Sequence, residues 1–149
     1  MATNTILQSL NDSTLGAGPT SSSRRQVETY LAAGAIAAGD LVAFDLTQSD
    51  DSDKCLFVVK ADTDFGNTVV CVGFALDSAA AAGDPVKVTV AGLHESANTG
   101  TCAVGDRLIA SGTAGQCQLF TGAESIPVIG YAIEADTAGF AGVIVIKQF

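Results

Sequence analysis

Two six-residue words decide how this chain is read: VGFALD at 72–77 and IGYAIE at 129–134. Aligning Gly73 with Gly130 sets an offset of 57 residues, and the match then runs on without a gap. Phe74 meets Tyr131, Ala75 meets Ala132, Leu76 meets Ile133, Asp77 meets Glu134, Val86 meets Val143 and Val88 meets Val145. A run of this length, with conservative exchanges at the apolar positions, marks an internal repeat. The aromatic residue after the glycine reads as a core device in both copies.

Outward from these words the signals are those of short strands. QVETYLAA (26–33) alternates Val27, Thr29 and Leu31 against Glu28 and Tyr30, the period of a half-buried strand. LVAFDL (41–46), KCLFVVKA (54–61), TVVCVGFAL (68–76) and PVKVTVAG (85–92) are β-branched or aromatic runs bounded by turn residues. The second half repeats the plan with DRLIAS (106–111), QCQLF (116–120), PVIGYAIE (127–134) and GVIVIKQF (142–149). Strands recurring about every ten residues indicate an all-β fold. The expectation is a small β-barrel or β-tulip-like domain over 27–149, built from two similar halves at about 31–90 and 98–149 and joined by AGLHESANTG. Alanine-rich DSAAAAGD (77–84) is too short for a stable helix and reads as a loop or a single turn.

A second set of words locates the turns. AAGDLV (37–42), AAGDPV (81–86) and AVGDRL (103–108) each place Gly-Asp directly before an apolar strand. Glycine supplies a positive φ there, and the aspartate accepts from nearby backbone N–H groups. A phosphate-binding loop needs more glycines, a lysine and a following helix, and strands follow here.

Residues 1–26 differ from the rest. MATNTILQSLNDSTLGAGPTSSSRRQ is rich in Ser, Thr, Asn and Gly and has no sustained period, so it reads as an extended N-terminal arm without a core of its own. Ile6, Leu7, Leu10 and Leu15 are spaced to anchor an extended segment in shallow pockets, and Arg24 with Arg25 forms the only basic pair. A plain leader is the competing reading of this stretch.

Composition closes several function classes. The chain has 149 residues, one histidine and a net charge of −9, from seven basic against sixteen acidic side chains. That balance argues against nucleic acid, whose affinity comes from neutralised phosphates, and against a polybasic membrane contact. No secretory signal and no run of 18 apolar residues is visible, which predicts a soluble chain made in the cytoplasm. The sole His94 lies in the Gly-flanked GLHES with Glu95 adjacent, and neighbours on a strand face opposite ways, so the two form no natural dyad. No GxSxG, HExxH or Cys–His signature appears, so no enzyme, catalytic residue, cofactor or metal is expected. Asp45, Asp50, Asp51 and Asp53 crowd one segment, read as a charged hairpin tip; a calcium site is the alternative, although the EF-hand glycine and closing glutamate are missing. Cys55, Cys71, Cys102 and Cys117 lack CxxC spacing and read as small buried hydrophobes, with a disulfide left open for a protein that ends outside the cell.

The blocks GFALDSAAAAGDPVKV (73–88), AGLHE (91–95) and GYAIEADTAG (130–139), with the opening RRQVETYLAAGAIAAGDLVAFD (24–45), resemble the small capsid decoration (cement) proteins of tailed bacteriophages. The likeness covers about residues 68–149 well. It implies a non-enzymatic β-barrel that binds the outside of an assembled capsid, commonly as a homotrimer at a symmetry axis, and locks neighbouring major capsid subunits against the pressure of packaged DNA. The arm residues Ile6, Leu7, Leu10, Leu15, Arg24 and Arg25 are then the expected capsid contacts. A head-fibre or other virion attachment module is the alternative, and a small β-clip binding domain stands behind it.

Overall fold

The computed structural model describes residues 25–62 and 70–148. They form nine strands and one helical turn: β1 (Arg25–Ala32), β2 (Leu41–Phe44), α1 (Asp51–Lys54), β3 (Phe57–Lys60), β4 (Cys71–Ala75), β5 (Pro85–Asn98), β6 (Arg107–Ala110), β7 (Cys117–Leu119), β8 (Gly130–Ala132) and β9 (Phe140–Val145). The strands lie side by side in the order β1-β3-β2-β4-β5-β9-β8-β6-β7, and β1 also pairs with β5. That extra pairing closes the first five strands into a barrel, and the remaining four extend the same sheet. The all-β fold expected from strand spacing is the fold observed.

The two halves share one strand order. The order β3-β2-β4-β5 in the first half is matched by β7-β6-β8-β9 in the second. Strand β5 serves both halves: its first part pairs with β1 and β4, and Gly92–Asn98 pairs with β9. AGLHESANTG is therefore no linker, because most of it is the second half of a fourteen-residue strand. Its glycine does not end the strand, since Gly92 stands opposite Arg25 of β1 on one side and Val145 of β9 on the other. The surplus residue between His94 and Ala97 is taken up by a bulge.

The glycines of the two GxA words approach the neighbouring strand alike, and Gly73 also adjoins a bulge in the pairing of β4 with β2. A Cβ on Gly73 would run into the backbone carbonyl oxygen of Thr89, and one on Gly130 would lie 2.6 Å from that of Ile144. Thr89 faces Phe74, and Ile144 faces Tyr131, so the two glycines meet the same point of the neighbouring strand. The ungapped alignment fails beyond this point. Ala75 pairs with Val88 while Ala132 pairs with Val143, so Val143 takes the place of Val88 and not of Val86. The second-half loop is two residues shorter. A slip of two keeps every side chain on its original face, which is why the sequences still matched at the apolar positions.

Two hydrophobic cores follow. The first fills the closed barrel with Tyr30, Val42, Val58, Val72, Ala75 and Val88 among others. The second is built from the matching positions Ala97, Leu108, Cys117, Ile129, Ala132 and Val143, joined by Leu41, Ala43, Cys71 and Phe74 from the first half. β2 and β4 therefore form a wall with a core on each side, and their continuous apolar runs LVAF and CVGFA reflect burial on both faces.

Several expectations need correction. The alternation of β1 has the expected period but the opposite phase: Tyr30 and Ala32 are buried while Val27 and Thr29 are exposed, because the barrel interior takes the Tyr30 side. Arg25 and Gln26, expected in the arm, belong to β1, where they stand opposite Gly92 and Ala91 of β5. Phe74 is a core residue but Tyr131 is exposed, for no described strand lies behind the second half as the second half lies behind the first. Cys71, Cys102 and Cys117 are buried as read, with Cys117 at the position of Val58, whereas Cys55 is exposed because it caps α1 at the surface. Burial pushes the Cys71 thiol up to about 12 and raises that of Cys117 as well. Native protein at neutral pH should accordingly take up one equivalent of a maleimide quickly, at Cys55, and the other three only after denaturation. Rapid native labelling of Cys71 or Cys117 would overturn their assignment as core residues.

Candidate functional site

The three Gly-Asp words fold alike. Gly39, Gly83 and Gly105 have φ of 89°, 89° and 87°, the third position of a type II turn. The following carboxylates accept from the backbone N–H three residues back: Ala37 to Asp40 at 2.8 Å, Ala81 to Asp84 at 2.9 Å and Ala103 to Asp106 at 2.8 Å. Only the first of the three is buried. Asp40 also holds Lys60 Nζ at 2.9 Å and receives a long bond from Asn98 Nδ2 at 3.5 Å, while Asn98 Oδ1 accepts from Gln116 Nε2 at 3.3 Å. Beside them the Gly115 N–H donates to the Ala61 carbonyl, and the Leu41 N–H donates to the Gly115 carbonyl. This seam ties the open side of the second half onto the outer wall of the first.

His94 is not in a loop. It lies in β5, buried, with Nδ1 3.1 Å from Thr89 Oγ1 and its ring 5.5 Å from that of Phe74. Burial pulls its pKa down to about 4, although its bond to the Ser96 backbone works the other way. A neutral, hydrogen-bonded imidazole of this kind holds the junction of the two halves together. The sign of its pH effect is fixed: the unfolded chain takes up the proton below about pH 6.5 and the folded one only near 4, so stability falls across that window. Near pH 5 the loss amounts to about 2 kcal/mol. Urea midpoints of His94→Asn should be flatter than those of the parent between pH 7 and 5, and equal slopes would refute this account. Next to His94, Arg25, Gly39, Glu95 and Ser96 line a half-open cavity of about 210 Å³.

The acidic segment is spent on its own backbone. Asp45 is buried; burial alone raises its carboxyl pKa, but bonds from the Thr47 hydroxyl, the Gln48 amide and the Thr47 N–H outweigh this and hold it below the usual range. Asp50 caps α1 by accepting from the Ser52 N–H, and Asp51 pairs with Lys54 at 2.7 Å. Among the described residues no group of three His, Cys, Asp or Glu side chains converges as a metal site would require.

Of the expected capsid contacts, Ile6, Leu7, Leu10, Leu15 and Arg24 lie outside the described residues, and Arg25 stands half-buried at the rim of the cavity just named. The structure also displays a surface that the sequence reading missed. On the outer face of the second half, Arg107 of β6 pairs with Tyr131 of β8, and Tyr131 pairs with Ile144 of β9. Tyr131 and Ile144 are 43% and 40% exposed, Ile133 stands beside them, and the Arg107 guanidinium lies 5.1 Å from the centre of the Phe120 ring.

The model of the family described as phage cement protein matches residues 22–148. The chain belongs to that family. It is a structural component of the phage virion, associated with the capsid. Among solved structures, the crystal structure of the head fibre gp8.5 N base of bacteriophage phi29 is similar, with 21% identity and a TM-score of 0.51 over 82% of this chain and 94% of that one. At that identity the likeness speaks for the barrel fold alone. No curated protein gives a significant sequence match. The signal that could have found the exposed row was present in the repeat: Leu41 and Phe74, which the second half covers, correspond to Arg107 and Tyr131, and a charge and a hydroxyl replace two core side chains.

Proposed function

We propose that the chain acts on the outer surface of the capsid, where it bridges neighbouring major capsid subunits as a homotrimer and has no catalytic activity of its own. It is made and folded in the host cytoplasm and then added to the assembled head. Membership of the cement family across residues 22–148 carries this reading. A rigid double β-unit whose only histidine is buried and neutral suits a load-bearing part. The arm ahead of β1 supplies one anchor: Ile6, Leu7, Leu10 and Leu15 order against the capsid, and Arg24 and Arg25 meet capsid carboxylates. Segments that order on binding cover much surface for a short chain.

The test is addition of purified protein to capsids of the same virus that lack it. Saturating protein should raise the temperature at which those capsids release their DNA, with copy number read by mass. Deleting residues 1–23 should leave a folded barrel whose capsid affinity falls at least tenfold. A second reading is an attachment module, a role that the barrel fold shared with a head-fibre base would also suit. That reading gains if occupancy leaves capsid stability unchanged and instead raises adsorption of the virion to host cells.

A further inference from the structure

The duplication gives each half an outer sheet face at the same place. In the first half this face carries Leu41 and Phe74, both fully buried beneath the second half. In the second half the matching positions are Arg107 and Tyr131, and both are exposed. Ile144 and Ile133 continue the surface, and Gly142 makes room for Ile133 to lie flat, since a Cβ there would sit 3.0 Å from Ile133 Cγ1. Outward positions on β6, β8 and β9 thus carry an apolar patch with an arginine at its side, in a chain of charge −9.

We propose that this face docks on a capsid subunit through an apolar surface that presents a carboxylate opposite Arg107. This rests on the capsid reading above and adds a second contact to the arm. Three observations carry it. Tyr, Ile and Arg in one cluster are the composition of a buried interface centre, where tyrosine and arginine are the enriched anchors. Arg107 forms no ion pair among the described residues; it lies over Phe120, and the Glu134 carboxylate, next to Ile133 in the chain, accepts from the Gly142 N–H at 2.7 Å. A guanidinium placed so, on an otherwise acidic protein, selects a partner of opposite charge. A second copy is the poorer occupant, because the element that covers the equivalent face of the first half is the open side of the second half, and within each copy that side is already filled by Leu41, Ala43 and Phe74.

The experiment compares four full-length or truncated proteins on the same capsids: the parent, Tyr131→Ser with Ile144→Ser, Arg107→Glu, and the deletion of residues 1–23. All replaced side chains are exposed, so thermal melting should match the parent, and this is checked first. The double variant should bind capsids at least about tenfold more weakly. Arg107→Glu should weaken binding more at low salt than at high, as a charge contact requires. If both variants bind like the parent while the deletion does not, the arm is the contact and the face is not. If the variants change the sedimentation coefficient of the free protein, the face joins copies of this chain and the proposal is wrong. If the parent itself fails to bind, the capsid reading falls and this inference falls with it.

Discussion

Gly73→Ala should be the most damaging single-methyl change in the chain. The added Cβ would collide with the Thr89 carbonyl oxygen, and it would lie 2.9 Å from the Thr89 carbonyl carbon and 3.2 Å from Val88 Cγ1. Two of these three atoms are backbone of β5, which cannot retreat, because β1 lies against its other edge with Val27 opposite Thr89 and Glu28 opposite Val88. β4 cannot move the other way, since β2 holds it from Leu41↔Phe74 to Ala43↔Cys71. Overpacking a core ordinarily costs about 1–3 kcal/mol, and a clash with fixed backbone on both sides belongs at about 3–5 kcal/mol. Melting should fall by about 2–4 °C for each kcal/mol in a domain of this size. Gly83 is the control: a Cβ there meets nothing within 4 Å, and only its φ of +89° opposes alanine, a cost of about 1 kcal/mol. Gly130→Ala should lie between them, with its Cβ 2.6 Å from the Ile144 carbonyl oxygen. Equal melting temperatures for Gly73→Ala and Gly83→Ala would remove close approach as the reason for the repeated glycine.

These glycines also show how much a sequence exposes. The repeat, the strand count and the turn words were legible because each depends on local chemistry: a period of two, a glycine at positive φ, an aspartate one residue on. What escaped depends on the partner. Whether GLHES is loop or strand is decided by β9, fifty residues away, which gives Gly92–Asn98 a ladder. Which side of β1 faces inward is decided by closure of the barrel against β3 and β5, and a strand with Val27 on one face and Tyr30 on the other reads equally well both ways. The candidate docking face escaped for the same reason. Tyr131 reads like Phe74 in sequence, and only the stacking of one half on the other shows that Phe74 is covered and Tyr131 is not. The arm contacts Ile6, Leu7, Leu10 and Leu15 rest on sequence alone.

Asp40, Asp84 and Asp106 make the same turn bond, so alanine at each isolates what burial and neighbours add. At Asp84 the loss is an exposed carboxylate bonded to Ala80 and Ala81 N–H groups that water can reach. At Asp106 it is one bond to Ala103. Each should cost about 0.5–1 kcal/mol. Asp40→Ala removes more: the Ala37 bond, the partner of Lys60, the acceptor of Asn98, and the side chain that packs where a Cβ of Gly115 would come within 2.9 Å. The Lys60 side chain is 35% exposed and can turn to solvent, so the pair is not worth the value of a fully buried one. Strained or emptied donors and a void at the seam still bring the expected cost to about 3 kcal/mol. The loss should be uneven in space. Hydrogen exchange in β6–β8, which lean on the first half through this seam, should quicken before that in β1–β4, whose barrel closes without it. A uniform rise in exchange, or a cost equal to that of Asp84→Ala, would mean that the two halves hold together by their apolar core alone.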